Sequence, residues 1–115
     1  MDIPNRDRSI LEHILSYCMD IEETVQRFGE SYDLFVGDKT YRNACALCIL
    51  QIGELAGHLS EDFRRRHREM PWNEIRAMRN VVAHAYASIS FKTTWDTIQT
   101  DIPELKRFCT DLLSQ

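Results

Sequence analysis

The stretch Asn5–Phe28, NRDRSILEHILSYCMDIEETVQRF, decides the fold. Its apolar residues Ile10, Leu11, Ile14, Leu15, Cys18, Ile21, Val25 and Phe28 recur at spacings of three and four, the interval at which side chains share one face of an α-helix. Gly29 follows as a natural C-terminal stop. A long helix with a single apolar stripe must bury that stripe against other elements, so the question passes to the rest of the chain.

After a short irregular piece, SYDLFVG, Asp38 is placed to cap a second long helix with the stripe Tyr41, Cys45, Cys48, Ile52, Leu55, Leu59. That helix is expected to bend near Ser60, before the charged tail EDFRRRHREM. Pro71 suits the first turn of a third helix, where its missing N–H has no partner to lose, and Trp72, Ile75, Met78, Val82 and Tyr86 continue one face. Ser90 is placed to cap a fourth, with Trp95, Ile98, Ile102, Leu105, Cys109 and Leu112 in step, and Pro103 should start a new helix or kink this one. No segment sustains a period of two, and no repeat or low-complexity linker interrupts the chain. The expectation is an all-α, up-and-down four-helix bundle with short extra helical segments, forming one domain over residues 1–115.

The composition agrees. Of 115 residues, 43% are hydrophobic and 28% charged, which suits a globular domain with one core. No apolar run is long enough to cross a bilayer, and the opening MDIPNRDRS is acidic and polar where a signal peptide is basic and then apolar, so a cytoplasmic protein is expected. Cys18, Cys45, Cys48 and Cys109 all fall in apolar stripes, where a reduced cysteine behaves as a small hydrophobe. Cys45 and Cys48 form a CxxC, but mid-helix, with no turn to gather ligands; neither a metal nor a cofactor is expected. The net charge of −4 argues against a generally basic nucleic-acid binder, so any RNA contact must come from a local basic patch.

One stretch does not read as ordinary core or surface. AMRNVVAHAY, Ala77–Tyr86, sets Arg79, Asn80, His84 and Tyr86 among small apolar residues. On a regular helix Arg79 and His84 stand about 140° apart, so for both to meet one phosphate the helix must end or loosen near His84, or a second subunit must complete the site. Spacing alone decides little: with eleven arginines and four histidines, an Arg-x4-His arises by chance about 0.4 times in such a chain. A second copy, Arg8 and His13, lacks the Asn and Tyr and reads as solvent-facing. Two readings of the later copy stand at this point. One is a buried polar network, with Arg79 paired to Glu54 or Glu74; the other is a site.

The surroundings MPWNEIRAMRNVVAHAY, with ILQIGELAGHLSEDFR before them and TTWDTIQTDIPELKRF after, resemble the HepT-like toxins of the HEPN superfamily. The specific part is Arg-x4-His-x-Tyr at Arg79, His84 and Tyr86, with the Pro71-Trp72 helix start and the Gly53-Glu54 pair. The resemblance implies a metal-independent endoribonuclease that works as a homodimer, encoded beside a minimal nucleotidyltransferase antitoxin that adenylylates Tyr86. Arg79 and His84 are then the catalytic residues; of the supporting candidates, Asn80 either orients one of them or binds the RNA backbone, and Glu54 either hydrogen-bonds a motif residue across the bundle or faces water. The chemistry is coherent, because RNA carries its own nucleophile, the 2′-OH, and the protein needs only proton transfer and a cation for the phosphate.

Several readings stay open beside it. Arg64, Arg65, Arg66 and Arg68 either track RNA or form a solvated helix end where cations suit the macrodipole. Tyr86 either continues the core stripe or presents its hydroxyl at the cleft. Trp72, Trp95 and Phe91 are candidate anchors of a dimer interface. A non-catalytic nucleotide- or RNA-binding bundle, and an assembly partner of a nucleotidyltransferase, remain as alternatives to the nuclease.

Overall fold

The computed structural model describes residues 3–85 and 90–115, and of residues 81–85 the backbone alone. The helices follow the apolar stripes. α1 (Asn5–Phe28) buries Ile10, Leu11, Ile14, Cys18 and Ile21 and ends at Gly29, whose φ of 112° is a left-handed turn that suits glycine alone. α3 (Lys39–His58) starts where expected: the Asp38 carboxylate accepts from the N–H groups of Thr40 and Tyr41 at 2.9 and 3.2 Å.

Between them the irregular piece turns out to be a short helix, α2 (Tyr32–Gly37), opened by the Ser31 hydroxyl accepting from Leu34 N–H. Six residues are too few to hold a helix by themselves; tertiary contact holds this one. Phe35 is buried edge-on against Tyr41 and beside Trp95, with ring centroids 5.1 and 5.3 Å away. The Tyr41 hydroxyl donates to the Gly29 carbonyl at 3.1 Å, and burial pushes its pKa up to about 12. It therefore ties the end of α1 to the start of α3 as a neutral donor.

The expected bend near Ser60 is a full break. α3 stops at His58, and the Ser60 hydroxyl caps α4 (Glu61–Arg66) by accepting from Phe63 N–H at 3.1 Å. The same hydroxyl donates to Asp7, whose other oxygen accepts from Ser60 N–H, at 2.7 and 2.8 Å. Asp7 is 1% exposed, a buried carboxylate in the first turn of α1 that no sequence pattern announced. Asp7→Ala would strand two donors at this junction and should cost about 2 kcal/mol, read from the denaturation midpoint. An unchanged midpoint would mean that the junction is held by packing alone.

α5 (Trp72–Ala85) follows Pro71, and the last arm runs through α6 (Phe91–Asp96), a π turn over Thr97–Asp101 and α7 (Ile102–Leu113). Ser90 caps α6 as its position predicts. Pro103 lacks the N–H that would bond Gln99, and the arm absorbs this by widening: Ile102 N–H reaches back five residues to Thr97. The proline opens α7 without breaking the arm.

The four long segments alternate in direction. α3 runs antiparallel to α1, since Asp7 meets Ser60 at one end and Phe28 stacks on Tyr41 at the other. α5 packs against α3, and α7 against α1. The bundle expectation is met, with α2, α4 and α6 as the extra segments. All four cysteines are free and buried in its core, and desolvation pushes Cys18, Cys45 and Cys109 to about 12 and Cys48 to about 11, so they are packing groups rather than thiolates. No described helix is long and apolar enough to cross a membrane.

Trp72 corrects an expectation. It is 6% exposed, donates its indole N–H to the His67 carbonyl at 2.9 Å and packs between Phe63 and Phe108, so it cannot anchor an interface. Trp95 is half-buried among Phe35, Tyr41 and Tyr32, and Phe91 lies beneath the Arg42 guanidinium.

Candidate functional site

The site begins with a residue that has no side chain. A Cβ on Gly53 would stand 2.9 Å from the Arg79 backbone nitrogen, closer than real Cβ atoms come, and a tight 3.1 Å from the Ile75 carbonyl oxygen, against backbone that cannot swing away. Gly53 thus lets α5 come down onto α3, and Arg79 lands at the crossing. Glu54, the next residue, sits at the edge of that contact.

There the Arg79 Nε–H meets Glu54 Oε2 at 2.6 Å, and Arg79 Nη1–H donates to Asn80 Oδ1 at 3.3 Å. The second Glu54 oxygen lies 3.6 Å from His58 Nε2, one turn further along α3. Of the two acids that sequence offered as partners for Arg79, the fold selects Glu54. The pair is not a buried network, because the Arg79 and Glu54 side chains are 45% and 47% exposed. In that setting an ion pair contributes about 0–1 kcal/mol to stability, so its main effect is geometric. Glu54 accepts from Nε–H and Asn80 from Nη1–H, and the remaining Nη N–H groups, unpaired with any described residue, stay available to an anion.

Around this pair lies an open groove of about 480 Å³. Gly53 and Gly57 form its floor, Glu54 and His58 its α3 edge, and Asn73, Arg76, Arg79 and Asn80 its α5 edge. His58 and Arg76 were not singled out by sequence. The signal was available: His58 is four residues after Glu54 and Arg76 three before Arg79, the spacings at which helix neighbours meet.

The helix neither ends nor loosens before His84. α5 continues to Ala85, so Arg79 and His84 of one chain stand about 140° apart around it. For His84 only the backbone is described, and Tyr86 lies outside the described residues.

The arginine run is not part of this groove. Arg64 turns back on α3, donating to the carbonyls of Ala56 and Gly57 at 3.5 and 3.3 Å and so satisfying the end of that helix. Arg65 and Arg66 pair with Asp62 at 3.6 and 3.2 Å. Arg68 is exposed and, with Arg64 and Arg65, borders a separate depression of about 320 Å³. In the earlier Arg-x4-His copy, both residues lie on α1: His13 is exposed with its Nδ1 2.7 Å from the Ser9 carbonyl, and Arg8 is half-buried. Among the described residues no three His, Cys, Asp or Glu side chains converge to hold a metal ion.

Comparison with known proteins matches residues 14–112 to the family described as "Ribonuclease HepT-like". A protein of Caldanaerobacter subterraneus named "Putative RNase TTE0752" is 35% identical, over 94% of this chain and 95% of its own. "Probable ribonuclease HepT" of Thermococcus cleftensis is 34% identical, over 78% of this chain and 86% of its own, and "Putative RNase MJ0125" of Methanocaldococcus jannaschii is 31% identical, over 91% and 90%. No solved structure gives a significant match.

Proposed function

The chain belongs to the HepT-like ribonuclease family of the HEPN superfamily, and from that premise we propose that it is a toxin endoribonuclease that cuts RNA without a metal ion, in a groove centred on Arg79. The observation that carries the reading is the half-exposed Arg79, steadied by Glu54 and Asn80 with its free N–H groups turned to a groove. A guanidinium so placed binds a phosphate and holds it more tightly as charge grows on its oxygens in the transition state.

The reaction is internal transfer. A base takes the proton of the 2′-OH, the oxygen attacks the neighbouring phosphorus, and the bond to the 5′-oxygen breaks as an acid returns a proton to it. The products are a 2′,3′-cyclic phosphate and a 5′-OH. Imidazole is the side chain whose ordinary pKa lies near neutrality, which assigns proton transfer to His84. One histidine cannot easily serve as base and acid in the same event, and Arg79 and His84 stand far apart around α5. Both points favour a homodimer in which two copies of the motif face one cleft.

Regulation belongs to the same proposal. A cognate nucleotidyltransferase would transfer AMP from ATP to the Tyr86 phenol with loss of pyrophosphate, two residues past His84. Each AMP brings a negative phosphate that can occupy Arg79 and repel RNA, silencing the toxin. The setting is the cytoplasm, where RNA and the antitoxin are met.

The test is direct. Purified protein should cleave single-stranded RNA in excess chelator and leave cyclic-phosphate ends; cleavage that stops on chelation would overturn the metal-independent mechanism, and binding without cleavage would reduce the protein to an RNA-binding bundle. With the nucleotidyltransferase and ATP, the wild type should gain AMP mass increments and Tyr86→Phe none. Equal gain by both would put the modification elsewhere.

A further inference from the structure

The groove continues beyond Arg79. Asn73, Arg76 and Arg79 recur every three residues along the α5 edge, spanning about 9 Å of helix axis, and Asn80 stands beside the last of them. This is a row of hydrogen-bond donors and two permanent cations on one face. Arg76 lies over Gly57 as Arg79 lies over Gly53: a Cβ on Gly57 would meet Arg76 Nε at 3.5 Å. The two arginines are therefore presented side by side, at the roughly 5–6 Å separation of helix neighbours.

Their surroundings differ in one respect. Among the described residues Glu54 is the one carboxylate lining the groove, and Arg79 and His58 already occupy it. Arg76 is exposed and makes no ion pair or hydrogen bond with any described residue. A free guanidinium one helical turn from an anion-binding arginine is suited to a second phosphate at the spacing that neighbouring phosphates of an extended strand can adopt. In a chain of net charge −4 this local row forms a positive track along the α5 edge of the groove.

Resting on the ribonuclease reading, we propose that Arg76 is a second phosphate-binding residue, engaging the phosphate adjacent to the one held by Arg79. The substrate is then a single RNA strand gripped through at least two consecutive phosphates. Arg76 does not act on the reacting bond; it fixes the register of the strand along α5.

Binding of a 2′-deoxy oligonucleotide, which cannot be cut by 2′-OH attack, tests this apart from catalysis. Arg76→Ala should weaken binding about tenfold and lower the salt dependence, the slope of log K against log salt, by about 0.7, the value for one lost phosphate contact on a single strand. Arg107→Ala, which removes an exposed arginine outside the groove, should change neither. For the wild type, a trinucleotide with two bridging phosphates should bind markedly tighter than a dinucleotide with one, and Arg76→Ala should erase most of that gain. Equal gain in both proteins, or no binding by the wild type, overturns the proposal. A nucleoside triphosphate that competes as well as the oligonucleotide would also overturn it, by assigning the two phosphates to a nucleotide. If the wild type binds as stated and yet never cleaves RNA, the nuclease reading falls and the subsite stands.

Discussion

Replacing His84 with alanine is expected to lower RNA cleavage by about 10²–10⁴-fold while the chain still folds, since removing a group that transfers protons forfeits a contribution of that size. The expectation rests on the proposed division of labour. Arg79 cannot exchange a proton near neutral pH, and Asn80 and Glu54 are turned toward the Arg79 guanidinium. Arg79→Ala should cost about 10²–10³-fold, the loss typical of a donor aimed at developing negative charge. Arg79→Lys should recover little of it, because an ammonium cannot keep both the Glu54 grip and the fork offered to phosphate. Arg8→Ala and His13→Ala serve as controls, and each should cut RNA as the wild type does. A His84→Ala protein that cleaves at the wild-type rate would remove His84 from the chemistry, and a large loss from His13→Ala would move the site to the first helix.

Gly53→Val should damage both fold and activity, although Gly53 has no side chain to offer a substrate. The first added carbon already lies 2.9 Å from the Arg79 backbone nitrogen, and the two further methyls of valine must find room in the same crossing. The helices have to part. Overpacking of this kind costs about 3 kcal/mol, and the parting carries Arg79 away from Glu54. Cleavage should therefore fall more than tenfold even at a temperature where the variant remains folded, as judged by circular dichroism. Gly57→Ala is the comparison: its Cβ meets only the flexible Arg76 side chain at an ordinary distance, so folding should be little affected. Equal stability of Gly53→Val and wild type would mean that α5 does not depend on this close approach.

How much of this was legible in the sequence depends on whether a feature is local. α1 and α3 were, because each carries a stripe of five or more buried residues and a local end signal beside it, the stop at Gly29 for α1 and the N-cap at Asp38 for α3. α2 was not, since Phe35 is fixed by the side chains of Tyr41, on the next helix, and Trp95, which is 60 residues away in sequence. Asp7 read as an ordinary acid at a helix start, and its partner Ser60 is 53 residues away. The arginines of α4 read as one patch, but Arg64 serves the end of α3 and Arg65 and Arg66 serve Asp62. Trp72 showed the same limit from the other side: an aromatic at a helix start fits an interface or a corner, and only Phe63, His67 and Phe108 decide for the corner. At the site, residue types and spacing left Arg79 between Glu54 and Glu74, and the glycine crossing settled it. The roles of His84 and Tyr86 came from the family resemblance and remain proposals.

The order in which the long helices pack has a bearing on motion. α1 and α3 each lie between two long neighbours, whereas α5 leans along its length on α3 and meets α7 through Trp72 at its start. A segment supported along one side opens at lower free energy than one enclosed on two, so amide protons of α5 should exchange by local opening while those of α1 and α3 wait for global unfolding. Arg79 belongs to the outer helix and Glu54 to the inner one. The line along which Arg79 meets its acidic partner is thus also the expected seam between slowly and rapidly exchanging helices, and a strand bound as proposed would lie across it.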